Sequence, residues 1–410
     1  MPYYAATGGD PAALLVGILS MVVLLIVSGI LINLKIKEFK IQVILYMMVL
    51  VQLGIAFVDN YIMSFPLMGF DARAFEALAW FSYENSVNVG RGAYSYYILN
   101  PIYKLLKVRS AMVFEVLNIL FTLFINLNIY ETLKKLKVDK KLLFLLMGIS
   151  TLSPISLIYR TGVLREAVII MFISFSLKNF IYYCIDKNNF AMIRAFVYSG
   201  IGAIFHSGAI FIVGGYFLAL SGGKKNQKVY QILVFIVGIV GFILFKDILL
   251  EKVGGGDVEA IIRANNYTSL KMAGSGYLQS ITTESLAQIV MYLPLFIFYF
   301  LFSPTPDMFR GVLDIVSFSL NSSIFIYLIF NGINTFRKIK NRLTNQEKKI
   351  IKCLFISILF TVAVFSIGTR NAGTALRHRD KIVPLLIVGF AVIKNRSIIL
   401  GERRRYGRTY

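Results

Sequence analysis

Tyr159-Arg160-Thr161-Gly162-Val163-Leu164-Arg165-Glu166-Ala167 separates two oily stretches, residues 142–159 before it and 167–185 after it. A run of about 20 apolar residues crosses a bilayer as a helix, so flank, turn and flank read as a transmembrane hairpin with Arg160, Arg165 and Glu166 at its bend. A second oily stretch, 191–220, carries Phe205-His206-Ser207-Gly208. Ionisable groups within or at the mouth of a membrane are costly unless they line a polar cavity, which makes each of them a functional candidate. Taken singly, Arg165 and Glu166 also suit a helix interface, and His206 suits a hydrogen-bonding position between helices.

Outward from this hairpin the whole chain has the same character. It has 410 residues, of which 57% are hydrophobic and 16% charged. That balance excludes a water-soluble globule and describes an all-α, polytopic integral membrane protein forming one domain over residues 1–410, with a basic cytoplasmic tail at 394–410. The net charge of +22 falls largely in short segments beside apolar runs. Membrane topology explains such placement without a nucleic-acid partner, and affinity for anionic lipid headgroups can be added to it. Cys184 and Cys353 lie in or beside apolar runs and imply no disulfide framework. The first span follows Asp10 with no basic segment before it, so a retained helix is expected rather than a cleaved signal. No repeat of 20–50 residues is visible.

Spans are expected at 11–34, 41–63, 110–133, 142–159, 167–185, 229–249, 286–302, 311–334, 353–368 and 382–393. Residues 191–220 form either one long tilted helix or two short ones broken near His206. The total is about eleven, with ten to twelve as the range of such a count. Residues 64–109 are rich in aromatics and suit a loop lying along the interface. Basic runs at 134–141, 337–352 and 394–410 put the C-terminus in the cytoplasm, and an odd number of spans then puts the N-terminus outside. On this topology three polar clusters share the outer side: Asp71 and Arg73; Arg160, Arg165 and Glu166; and Gly368–Asp380, which contains Arg370, Arg377, His378 and Arg379. Arginine presents a planar, permanently charged fork that grips phosphate oxygens, so arginines gathered on one face point to a phosphate or pyrophosphate ligand. A nearby carboxylate can act as base toward a hydroxyl. A solvated basic turn would be the plain alternative for 368–380, but on the outer face it would run against the positive-inside bias. No metal site, nucleotide loop or acyl-transfer elbow is evident, and no cofactor is expected.

Three short elements then resemble those of the EpsG-like branch of the Wzy-type bacterial polysaccharide polymerases, and a fourth resembles the GT-C class. Gly69-Phe70-Asp71-Ala72-Arg73-Ala74-Phe75 is similar to a Gly-x-Asp-x-x-x-Tyr element after the second span, with Phe75 in place of tyrosine. Arg165-Glu166-Ala167 matches an Arg-Gln pair opening a helix, with glutamate for glutamine. Phe205-His206-Ser207-Gly208-Ala209 is similar to Phe-His-x-Ser-Ala. Arg377-His378-Arg379-Asp380 before Pro384 resembles the Arg-rich turn before the last span of GT-C-class membrane glycosyltransferases. The resemblance implies a GT-C-like helical bundle with interfacial extracytoplasmic loops in a bacterial cytoplasmic (inner) membrane. It also implies an enzyme that polymerises oligosaccharide repeat units carried on polyprenyl pyrophosphate, alongside membrane lipids, a flippase and a chain-length regulator. Under it, Arg160, Arg165, Arg370, Arg377 and Arg379 bind pyrophosphate. Asp71 is the first candidate for the base and His378 the second, with Arg73, Glu166 and His206 in support. The competing expectation is a flippase or transporter of the same lipid-linked glycans, in which the arginines bind and do no chemistry; the absence of two similar halves counts against it. A membrane O-acyltransferase is disfavoured because neither histidine sits in an acyl-transfer motif.

Overall fold

The computed structural model describes residues 3–6, 9–64, 69–87, 92–220 and 276–406. Among these the chain is helical, and its β-type pairing is a single antiparallel bridge between Gly276 and Asn371. Among the described residues seven helices are long and apolar enough to cross a membrane: Pro11–Lys35, Phe39–Ile62, Ala111–Lys135, Glu166–Asp186, Asp314–Arg342, Asn345–Ile367 and Val383–Gly401. Three shorter apolar helices, Asn189–Phe205, Ser207–Phe217 and Ala287–Phe302, accompany them. A helical membrane protein is the class these features define. The expected span 229–249 and the outer segment around Gly254–Gly256 lie outside the described residues.

Several boundaries differ from the sequence expectation, for local reasons. Residues 142–159 are two helices, Lys140–Leu152 and Pro154–Tyr159, with Ser153 extended between them. Proline has no N–H and pushes the residue before it out of the helical region, so a helix ends here and another starts. The stretch 191–220 is broken: Asn189–Phe205 ends at His206, which is extended at φ −157° and ψ 110°, and a 3-10 turn leads into Val213–Leu220. Where an interfacial loop is expected, Gly69–Glu84 and Asn100–Leu106 are helices. Edge-on stacking of Trp80 on Tyr103 joins them, and Tyr103 stacks in turn on Phe114 of the Ala111–Lys135 helix. The helix expected at 353–368 begins at Asn345, because Thr344 and Glu347 satisfy each other's backbone N–H groups as a capping box. The last helix runs on to Tyr406 through the first part of the basic tail, as lysine and arginine are good helix formers.

The chain divides into two compact units, Met1–Glu131 with Leu143–Phe175, and Thr132–Leu142 with Ser176–Tyr410. In the first unit the Ala111–Lys135 helix is largely interior, and its buried face is polar. Asn126 accepts from Ser150 Oγ at 2.6 Å, and Asn128 donates to Ser174 Oγ at 3.1 Å. Away from water such side chains must find protein partners, and here each ties a neighbouring helix to this one. Gln52 Nε2 likewise donates to the Leu157 carbonyl at 3.2 Å, fixing the short Pro154–Tyr159 helix that leads into the 160–165 turn.

In the second unit, the Val213–Leu220 helix lies hard against Asn345–Ile367. A Cβ at Gly215 would come within 1.9 Å of the Cys353 carbonyl oxygen, so only glycine permits this approach. Ser357 Oγ donates to the Ile212 carbonyl across the same junction. The broken helix is thereby docked on the helix that ends at Ile367, just before the basic turn.

Candidate functional site

The basic turn expected at 368–381 is a buried, built structure. Asn371 is extended and caps the Ala372–Asp380 helix, its side-chain oxygen accepting from Thr374 N at 3.0 Å. The Tyr277 N–H donates to the Arg370 carbonyl at 3.0 Å, and the Tyr277 hydroxyl donates to the Thr369 carbonyl at 2.6 Å. Residues 276–277 therefore strap the turn from the far side. Burial pushes the Tyr277 phenol above its ordinary range, while the charges of Arg379 and Arg370 pull it back, so it stays a donor.

Arg370 is 1% exposed. Its guanidinium lies over the Phe296 ring, 4.7 Å from the centroid, and donates through one terminal nitrogen to the Ile281 carbonyl. Nε and the other terminal nitrogen have no hydrogen-bond partner among the described residues. Burial lowers the pKa of this arginine from its ordinary value; guanidinium starts so high that it remains charged. A buried cation with two open donors on adjacent nitrogens is the arrangement that takes a bidentate oxyanion.

Two more cations of the turn are equally enclosed. Arg379, 1% exposed, donates to the Leu301 carbonyl and lies over Phe325; Lys381, 0% exposed, has Nζ 5.1 Å from the Phe365 centroid. Asp380 is buried beside them, whereas Arg377 and His378 are half-buried. The solvated turn considered from sequence is therefore not what these side chains form.

His206 belongs to the same unit. Its ring sits 5.3 Å from that of His378, edge to face at 83°, and both rings contact Phe365 at 5.2 and 4.9 Å. The two histidines are the only ones in the chain. They are 172 positions apart, and the docking of the broken helix brings them together.

The remaining expected residues lie in the first unit. The 160–165 turn is held by Asn118, whose amide donates to the Gly162 and Leu164 carbonyls, while its oxygen accepts from Tyr94 at 3.2 Å. Burial pushes the Tyr94 phenol up, which keeps it a donor. Arg160 and Glu166 are buried, and Arg165 is half-buried with its guanidinium 5.9 Å from the Phe75 centroid. Asp71 and Arg73 open the Gly69–Glu84 helix, half-buried; Arg73 is 3.8 Å from the buried Asp59 and lies over Tyr3. Deeper in, Glu76 takes a bidentate bond from Arg109 at 2.9 and 2.8 Å and another from Tyr103 at 2.6 Å.

Sequence reading passed over Asn118, Tyr277 and Lys381. An asparagine in an apolar helix was the available signal for the first. Among the described residues no cluster of three or more histidine, cysteine or carboxylate side chains could hold a metal ion. No protein-family model, curated protein or solved structure matches this chain.

Proposed function

We propose that this chain is a membrane glycosyltransferase that joins oligosaccharide units carried on a polyprenyl pyrophosphate, working at the outer face of the cytoplasmic membrane. In this reading it is a GT-C-like bundle of about eleven spans. The observation that carries the proposal is Arg370: a cation almost fully withdrawn from water, with one donor spent on the protein and two adjacent donors open. A buried charge left in that condition is costly, and an oxyanion that accepts both N–H groups offsets the cost.

A pyrophosphate leaving group suits the site because charge grows on it as the glycosyl bond breaks. Donors already aimed in a dry place stabilise that charge without reorganising. Arg377 and Arg379, on the helix that follows, supply further positive charge. Of the two candidate bases, Asp71 and His378, His378 lies in the unit that holds Arg370. It is half-buried, with Nδ1 hydrogen-bonded to Thr369 Oγ1 at 3.2 Å. The sequence resemblance supports the same chemistry, since its Arg-rich element falls on 377–380.

The test is to purify the full chain, place it in vesicles and supply a polyprenyl-pyrophosphate-linked oligosaccharide with no other protein. A ladder of longer glycans supports the proposal. Movement of the lipid across the bilayer without new glycosidic bonds would replace it with a flippase.

A further inference from the structure

The first unit buries three carboxyls on three of its helices: Asp59 at 1% exposure, Glu76 at 1% and Glu115 at 0%. Asp59 belongs to the last turn of the Phe39–Ile62 helix, Val58–Ile62, which is a π turn. Such turns are rare and recur at functional sites; in this one the adjacent Asp59 and Asn60 are both buried. Asn60 Nδ2 donates to the Ala56 carbonyl at 2.8 Å and to Glu115 Oε2 at 2.7 Å. No N–H or O–H of the described residues reaches the other oxygen, Glu115 Oε1. What does come within hydrogen-bonding reach of Glu115 is the Asp59 carboxyl. Ionised carboxylates only accept, so a bond between these two requires a proton on one of them.

The charges around the pair call for the same proton. Glu76 takes a bidentate bond from Arg109 and another from Tyr103, which matches its charge. Arg73, 3.8 Å from Asp59, then faces both remaining carboxyls. Three acids against two arginines leave one negative charge over, and an unmatched charge away from water is costly. The other titratable groups that act on this cluster, Tyr3, Tyr61 and Tyr94, are phenols and bring no positive charge. Asp71, half-buried two residues before Arg73, adds only acid.

We propose that Asp59 and Glu115 form a one-proton binding site: Glu115 carries the proton and donates it to an ionised Asp59, whose charge holds Arg73. The charge stays on Asp59 because that is the carboxyl ion-paired with Arg73. With the proton in place, Arg73 fastens the start of the Gly69–Glu84 helix, and Asp71 with it, to the Val58–Ile62 turn. This goes beyond the glycosyl-transfer reading and does not rest on it.

Infrared spectra of the full chain, purified near neutral pH in a detergent without carbonyl groups, separate a protonated carboxyl from carboxylates by its C=O stretch. Glutamate labelled with heavy carbon at the side-chain carboxyl shifts that band and so assigns it to glutamic acid without any substitution. The expected result is a glutamic-acid band in the parent that is lost in Glu115→Gln. The glutamine amide keeps an acceptor for Asn60 and a donor for Asp59, so the thermal midpoint of this variant should match that of the parent. Asp59→Asn should lower the midpoint, because Arg73 loses its counter-charge. The site is refuted if the parent has no glutamic-acid band or if the band survives in Glu115→Gln. It is also refuted if Glu115→Gln raises the midpoint, the sign of two like charges relieved. A Glu115→Gln chain that does not fold counts against it too, since the amide replaces a neutral acid of the same shape. No glycan enters these measurements, so failure of the ladder assay and failure of the proton site are read separately.

Discussion

Gly208→Ala is the sharpest perturbation of the junction between the broken helix and the basic turn. The added Cβ would stand 2.5 Å from Cε1 and Cζ of Phe365 and 3.2 Å from His206 Nδ1. Ordinary carbon contacts begin near 3.5 Å, so about 1 Å must be found by moving the ring or the backbone. The Phe365 ring has little room to move: His206, His378 and the Lys381 ammonium pack on it, and Phe300 stacks near it at 6.4 Å. Overpacking of this kind costs about 1–3 kcal/mol. For a chain of this size each kcal/mol lowers the unfolding midpoint by roughly 2–4 °C, so a drop of several degrees is expected for purified protein. Phe365→Leu removes the obstructing ring edge. The double variant should therefore recover part of the loss, giving a favourable coupling of about 1 kcal/mol between two residues that touch. A Gly208→Ala protein as stable as the parent, or a double variant whose losses simply add, would refute the packing described here and with it the approach of the two histidines.

Three further predictions concern the turns themselves. Arg370→Lys keeps a charge but loses the fork; with one of two charge-assisted bonds gone, at about 1.5–3 kcal/mol each, glycan formation should fall roughly 10- to 150-fold, measured as ladder yield per unit time. Asn118→Ala strips the donor from two buried carbonyls and should destabilise the protein by about 2–4 kcal/mol, seen in thermal unfolding, whereas Asn118→Gln should cost about as much because the longer amide does not fit. Arg165→Ala and Arg377→Ala should each abolish product while leaving membrane insertion, followed by fractionation, intact; normal polymer from either variant would remove that arginine from the reaction.

The parts of this architecture that depend on neighbours in sequence were legible in advance. The bend at Arg160–Glu166, the helix after it and the turn at 368–381 follow from where charges interrupt apolar runs, which is a local pattern. Ser153-Pro154 was also a local signal, and hydropathy overrode it: a window average over 142–159 cannot register one missing N–H. The aromatic rings of residues 64–109 suit a loop at an interface. Trp80, Tyr83 and Tyr103 instead form a packed cluster between short helices, and that requires contacts sequence alone does not display. The meeting of His206 with His378 needs the docking of the broken helix on Asn345–Ile367, which the close approach at Gly215 permits. No periodicity announces it, since an isolated glycine in an apolar helix has many uses.

Binding of a pyrophosphate at the Arg370 turn, on which the proposed reaction depends, can be measured without turnover. Thermal unfolding of the purified chain should be followed with a polyprenyl pyrophosphate, the corresponding monophosphate and the corresponding alcohol, each against Arg370→Ala. At a hundredfold excess over Kd, a ligand specific for the folded state adds about 2.7 kcal/mol. The pyrophosphate is expected to stabilise the parent most and the alcohol least, and the difference is expected to vanish in Arg370→Ala. Equal stabilisation by pyrophosphate and alcohol, or an undiminished pyrophosphate effect in Arg370→Ala, would contradict binding at this turn.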